Sequence, residues 1–168
     1  MSHEKGEKLY QLAEQRLPES WLEKHVWLTY LLAFLIYLGS SYVNEGVNPE
    51  ENVPYIALTV LAYLTSTFFD VYSTTQVLAE VEELASQEIA VPLYESSNFL
   101  PNRPTKKDIY GYKYLTINLL LLLPIVFHPP LGALLTVQKL IAITNNYRVK
   151  KRLEFILEKL DKKSDHSE

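Results

Sequence analysis

The chain has 168 residues, of which 48% are hydrophobic and 21% are charged, and its formal net charge is −4. This length is typical of a single domain. The chain contains no cysteine, which excludes disulfides, thiolate zinc sites, iron–sulfur clusters and a cysteine nucleophile. The mild negative charge argues against a nucleic-acid-binding protein, because such proteins usually carry a basic excess on one face.

The hydrophobic residues are concentrated in blocks that are separated by charged segments. Residues 1–24 are charged and amphipathic, and they predict a short helix that either lies along the inner membrane interface or packs on the rest of the domain. Residues 25–43 contain no Asp, Glu, Lys or Arg and are about long enough to cross roughly 30 Å of hydrocarbon. Residues 54–78 form a second such block, whose only charged residue is Asp70. These two blocks predict the first two transmembrane helices.

The third hydrophobic stretch, residues 112–147, is too long for one span and is interrupted by His128-Pro129-Pro130. Proline removes a helical donor and clashes with the preceding turn, so we predict a tight hairpin of two helices. The first arm has about sixteen residues, includes Pro124, and would cover only about 24 Å. Four full spans, or two spans with a re-entrant hairpin, are both compatible with this stretch.

The distribution of basic residues favours an even number of crossings. With four spans, the two termini and the middle loop share one side, and that side collects every lysine and arginine except Lys139. The first loop on the opposite side contains glutamates but neither lysine nor arginine. This is the positive-inside pattern, and three spans would break it. The charged N-terminus also lacks the apolar core of a cleavable signal sequence.

We therefore predict an all-α integral membrane bundle with about four transmembrane helices, located in the plasma membrane with both termini in the cytoplasm. The predicted parts are an amphipathic segment at 1–24, a transmembrane domain at 25–148 with a cytoplasmic loop at 79–111, and a charged tail at 149–168. The tail extends the fourth helix with an apolar stripe of Leu153, Ile156, Leu157 and Leu160. This stripe needs a cover, from the N-terminal helix, the loop, another subunit or the membrane surface.

A cluster of polar residues is predicted around Asp70 in the second span. Ser73 and Thr74 follow Asp70 at i+3 and i+4 and therefore share its helix face. An ionisable group at membrane depth is costly, so Asp70 should face protein or water rather than lipid. The third and fourth helices supply further polar groups, and the predicted cluster is Asp70, Ser73, Thr74, Asn118, Lys139, Asn145 and Asn146.

The depths of Asp70 and Lys139 in the membrane follow from the rise per residue if the second and fourth helices start at the same depth. Asp70 then lies roughly 24 Å from the outer end, and Lys139 lies only about 12 Å from it. A direct pair between the two would need a shift of one helix or a deeper hairpin. The cluster has two interpretations: a hydrogen-bonded clasp that fixes helix packing, or a site for binding, proton transfer or ion passage.

One resemblance is carried by short motifs. The DVYSTT sequence from Asp70, the following loop with Glu95 and Asn98, and the last helix with Asn145 and Asn146 resemble a group of small, uncharacterised prokaryotic membrane proteins. That group has four helices and an Asp-x-x-Ser/Thr-Thr motif. The resemblance implies a four-helix membrane fold and supplies no activity.

No phosphate-binding glycine loop, GxSxG elbow or HExxH helix occurs in the chain, so no catalytic residue, metal or cofactor is predicted. The leading hypothesis is a non-catalytic accessory or scaffolding subunit of a membrane complex, whose partners are the bilayer and other protein subunits or further copies of itself. The alternative is a small transporter, channel component or intramembrane enzyme centred on Asp70. A third hypothesis is a lipid- or surface-binding module that uses the basic inner face.

Overall fold

A computed structural model describes residues 3–17, 26–45, 53–91, 105–110 and 114–164. Every regular element in this part of the chain is an α-helix, as the sequence predicts. In chain order these are α1 (His3–Arg16), α2 (Val26–Glu45), α3 (Val53–Ser86), α4 (Lys106–Tyr110), α5 (Tyr114–Leu120), α6 (Leu122–Phe127) and α7 (Pro129–Ser164). The second half of the predicted loop, residues 92–104, lies outside the described residues.

Two long helices dominate the fold. Helix α3 has 34 residues and α7 has 36, so each is about 50 Å long and exceeds the thickness of a bilayer's hydrocarbon core. Among the described residues, α3 is the one helix that is both long and apolar enough to cross a membrane. The apolar stretches Leu31–Tyr42 and Thr116–Phe127 are shorter. By length and composition, therefore, one of the four predicted spans meets the criterion for a full crossing.

The hairpin predicted around His128 is present. Pro124 has no N–H to donate, and the third predicted helix is divided next to it, at Leu121, into α5 and α6. The His128 N–H then donates to the Pro124 carbonyl (2.8 Å), which closes the last turn of α6. Helix α7 begins immediately afterwards at Pro129, a position where the missing N–H costs nothing. A single residue therefore separates the two arms.

Helix α7 lies at the centre of the molecule. It packs most extensively against α3, and also against α2, α1 and α6. Helices α3 and α7 run in the same direction, since residues further along α3 contact residues further along α7. The two longest helices therefore face each other over much of their length, and the buried polar residues lie in this interface.

The distal ends of α3 and α7 form an apolar core together with α1. Its buried members are Ala13, Leu84, Ile89, Val91, Leu153, Ile156 and Leu157. At Gly6, a Cβ atom would overlap the Ala90 carbonyl oxygen, so α1 lies directly against the backbone that follows α3. The apolar stripe of the tail is therefore covered by the N-terminal helix α1, one of the four predicted possibilities, and by the end of α3. The tail therefore needs no second protein to bury this stripe.

Candidate functional site

The polar residues of α3 and α7 are brought together by a constant register between the two helices. Asn146 and Lys150 on α7 donate to residues of α3 that lie 72 to 74 positions earlier in the sequence. Near the start of α7, Gly132 permits a close approach, because a Cβ there would lie 3.3 Å from Thr59 Cβ and 2.8 Å from Ile125 Cγ2. Gly132 thus sets the depth at which α7 packs on α3.

Asp70 and Lys139 form a buried ion pair in this interface. Lys139 Nζ lies 3.1 Å from Asp70 Oδ2, and the two residues are 9% and 3% exposed. Their separation in sequence is 69 positions, so the lysine starts about one turn before the level of Asp70 and extends along the helix to reach it. Asp70 and Lys139 therefore do form the direct pair for which the sequence required a shift of one helix or a deeper hairpin.

The depth comparison placed Lys139 too far from Asp70 because it assumed a common starting level for the two helices. With the observed register, α7 begins about four residues further along α3, which removes about 6 Å of the expected separation. The remaining gap is within reach of the lysine side chain. The tight turn at His128 and the absence of a Cβ atom at Gly132 allow α7 to start this far along α3.

Tyr63 connects the ion pair to the third predicted helix. Its ring lies beneath the Lys139 ammonium, with Nζ 5.6 Å from the ring centroid, which is a cation–π contact. Its hydroxyl donates to Asn118 Oδ1 (2.8 Å) and approaches the Asn118 carbonyl oxygen (3.2 Å). Tyr63 and Asn118 are both buried. Asn118 therefore joins the cluster through Tyr63, on the side of Asp70 that faces the start of α3.

Asn146 joins the cluster on the other side of Asp70. Its Nδ2 group donates to Ser73 Oγ (3.1 Å) and Thr74 Oγ1 (2.9 Å). Both hydroxyls in turn donate to the Asp70 carbonyl oxygen, at 3.0 and 2.8 Å. A hydroxyl that donates to its own helix can still accept a hydrogen bond from another helix. The side chain of Asn146 thereby ties α7 to the helical turn that contains Asp70.

Six of the seven predicted residues therefore take part in one polar layer, in which Asp70, Asn118 and Lys139 are buried and Ser73, Thr74 and Asn146 are half-buried. Asn145 does not belong to it, because it is exposed on another face of α7. Adjacent helix positions are about 100° apart, so Asn145 and Asn146 cannot both face α3. We refer to these six residues together with Tyr63 as the polar layer.

Tyr63 is the member that the sequence analysis missed. It precedes Asp70 by seven positions, which places it on the same face of α3 two turns earlier. That spacing was the available signal. The signal is weak, because the chain has twelve tyrosines and tyrosine is also common at membrane interfaces.

Near the distal end of the layer, Lys150 contacts both α3 and its own helix. Lys150 Nζ lies 3.2 Å from Gln76 Oε1 on α3 and 3.4 Å from Glu154 Oε1 on its own helix. Beyond the apolar part of α3, partial burial and the neighbouring Glu154 raise the pKa of Glu80, while Lys150 opposes this shift. Lysine and glutamate side chains are therefore mixed at this level of the two helices.

The layer has the chemistry of a closed contact. Each charge of the ion pair faces its partner, and the hydroxyl and amide groups donate to one another or to backbone oxygens. A groove of about 320 Å³ between α3 and α7 reaches Ser73 and Asn146, but neither Asp70 nor Lys139 lines it. In the described part of the chain, no three His, Cys, Asp or Glu side chains are grouped so that they could hold a metal ion.

Comparisons with known proteins found no matching family model, no matching curated protein and no matching solved structure. Only the structure of this chain therefore bears on its function.

Proposed function

We propose that this protein is a multi-pass integral membrane protein, and the distribution of its polar and apolar side chains supports this. The interface between α3 and α7 buries an ion pair and amide groups, while large apolar side chains are exposed on several helices. Such wide apolar exposure is rare in soluble monomers. The exposed set includes Leu32, Leu35, Leu58, Leu61, Phe68, Leu120, Leu123 and Phe127. A bilayer would cover these side chains without a second protein.

The proposed topology has four crossings, with α2, α3, the broken α5–α6 arm and the first part of α7 in the plasma membrane. The short α5–α6 arm can be accommodated by local thinning of the bilayer or by a neighbouring subunit. Both termini and the apolar core around Leu153 then lie in the cytoplasm. The basic residues of the sequence favour this orientation.

Within the membrane we propose a non-catalytic role, as an accessory or scaffolding subunit of a larger complex. The observation that carries this proposal is the closed ion pair between Asp70 and Lys139, which are 3.1 Å apart and nearly inaccessible. A carboxylate that moves a substrate, ion or proton must meet it during each cycle. A carboxylate neutralised by a lysine of the adjacent helix is suited to holding that helix in one register.

The lateral surface offers room for protein partners. Leu31, Leu32, Phe34, Leu35 and Leu38 make much of α2 apolar and exposed. Among the described residues, no atom outside α2 lies within 4 Å of a Cβ placed on Gly39. The tail stripe, by contrast, no longer supports a partner because α1 and α3 bury it. The proposed interface is therefore within the membrane, on the flank formed by α2 and the short arms.

Native purification tests this proposal. The chain, expressed at its natural level with a C-terminal tag, is extracted from its own membranes in a mild detergent and analysed by native gel and mass spectrometry. An unrelated multi-pass protein with the same tag serves as the control for background. We expect a defined assembly with partners in fixed stoichiometry. A monodisperse, stable single chain would contradict the accessory role.

One observation favours a second candidate, a transport or proton-transfer role centred on Asp70. Asn146 both belongs to the polar layer and lines the groove between α3 and α7, so a polar route connects the groove to the turn of Asp70. For this candidate, Asp70→Asn should abolish a flux through proteoliposomes while the protein remains folded. Unchanged flux in the folded variant would contradict it.

A further inference from the structure

The groove between the distal halves of α3 and α7 has an apolar part and a basic end. Phe69 and Tyr72 on α3 and Ile143 and Tyr147 on α7 line the apolar part. Phe69, Tyr72 and Tyr147 are each at least half exposed, so these walls are open to the surroundings of the helices. The volume of about 320 Å³ accommodates part of a ligand of lipid size and leaves the rest outside.

The basic end of the groove contains Lys150 and Lys151. Lys150 is held by Gln76 (3.2 Å) and by Glu154 (3.4 Å). Lys151 Nζ lies over the Tyr147 ring, 5.5 Å from its centroid. These contacts place both ammonium groups near the groove before any ligand arrives, which lowers the entropic cost of binding. Glu154 is the one acidic residue of the lining, so the lining remains net positive.

The order of these groups along the helices corresponds to the order of groups in a phospholipid. From Ile143 to Lys150, α7 rises about 10 Å, passing from aliphatic and aromatic side chains to two ammonium groups. In the proposed topology, the apolar part lies at the depth of the acyl chains and the lysines lie at the cytoplasmic headgroup level. Basic pockets between transmembrane helices on the cytoplasmic side are suited to anionic headgroups.

We propose that this groove binds one anionic phospholipid, with its phosphate at Lys150 and Lys151 and an acyl chain against Phe69, Tyr72 and Tyr147. The inference depends on the proposed membrane location. Charge complementarity selects an anionic over a zwitterionic headgroup, and the apolar walls select a lipid over free phosphate. The bound lipid would span α3 and α7 beside Asn146, and would therefore stabilise the same interface as the polar layer.

Native mass spectrometry of the full chain in neutral detergent tests this proposal with short-chain phosphatidylglycerol and phosphatidylcholine as probes. The test variant is Lys150→Gln with Lys151→Gln. The matched control, Lys159→Gln with Lys162→Gln, removes the same charge from the far end of α7, where both lysines are exposed. We expect wild type and control to retain phosphatidylglycerol preferentially, and the test variant to bind it about tenfold more weakly.

Three results would overturn the proposal: equal retention of the two lipids, equal loss in the test and control variants, or full competition by inorganic phosphate. The single variant Lys151→Gln keeps the test decisive if the double variant is unstable, because Lys151 is exposed and a smaller preference for phosphatidylglycerol is still expected. Fractionation of the same cells tests the proposed membrane location independently of lipid binding. Recovery of wild-type protein in the soluble fraction would contradict that location, whatever the lipid measurement shows.

Discussion

Asn146 Nδ2 donates a hydrogen bond to Thr74 Oγ1 across the interface of α7 and α3, at 2.9 Å. Its neighbour Asn145 is exposed on another face of α7. Two consecutive residues of the same type therefore have different environments, and the difference defines how α7 is rotated about its axis. This contrast also provides a matched pair of variants.

Asn146→Ala should destabilise the fold, and Asn145→Ala should not. The first variant removes both hydrogen bonds to Ser73 and Thr74, and interhelical hydrogen bonds of this kind contribute on the order of 1 kcal/mol. The second variant removes a side chain that the interface does not use. Reversible unfolding in mixed micelles measures both. Equal losses of stability would contradict the observed rotation of α7.

Gly6→Ala should loosen the attachment of α1, although alanine favours a helix more than glycine does. The new methyl group would meet the Ala90 carbonyl oxygen, and a backbone atom cannot move aside as a side chain can. Hydrogen exchange of α1 should increase, together with protease cleavage near the N-terminus.

Gly39→Ala is the control for this substitution. Gly39 lies in α2 with no neighbouring side chain within reach of a Cβ atom, so the change should be neutral or stabilising by up to about 1 kcal/mol. Unaltered exchange of α1 in Gly6→Ala would show that α1 does not pack on the backbone at Ala90.

The pH dependence of stability should include a contribution from Glu80. Burial and Glu154 raise the pKa of Glu80 in the folded chain, so the folded state binds this proton more tightly than the unfolded chain does. Stability should therefore fall as pH rises from the usual glutamate range through the raised pKa. Glu80→Gln should flatten this slope and raise stability at neutral pH. The same slope in wild type and in Glu80→Gln would contradict the assignment to Glu80.

The absence of cysteine makes the proposed topology directly testable. Single cysteines introduced at Asn48 and Ser97 report on the first loop and on the middle loop. In intact cells, a membrane-impermeant maleimide should label Asn48→Cys, and it should label Ser97→Cys only after the membrane is opened. Labelling of both positions in intact cells would contradict the proposed arrangement of the first two spans.

The sequence predicted the local features well because each depends on neighbouring residues. Charge-free blocks indicated the helices, the proline pair at Pro129 indicated the hairpin, and the spacing of Asp70, Ser73 and Thr74 indicated one face. The register of α7 on α3 was predicted wrongly, since it depends on a contact between Gly132 and Thr59 that lies between distant segments. The predicted polar cluster wrongly included Asn145, because the rotation of α7 about its axis depends on packing. It omitted Tyr63, because the reach of that side chain to Asn118 also depends on packing.

The covering of the tail illustrates the same limit. The apolar stripe that includes Leu153 and Ile156 was visible in the sequence, but periodicity alone does not identify the surface that buries it. Helix α1 and the end of α3 do so. The tail stripe therefore gives no support to a protein partner.

The most direct test of the account is a double-mutant cycle on Asp70 and Lys139. If the pair is a structural clasp, Asp70→Asn alone should leave a buried, uncompensated lysine and cost about 3–5 kcal/mol. Adding Lys139→Met removes the second charge with a side chain of similar length, and the double variant should recover most of the loss. A fully stable Asp70→Asn protein that has lost a transport or catalytic activity would contradict the clasp and favour a functional carboxylate.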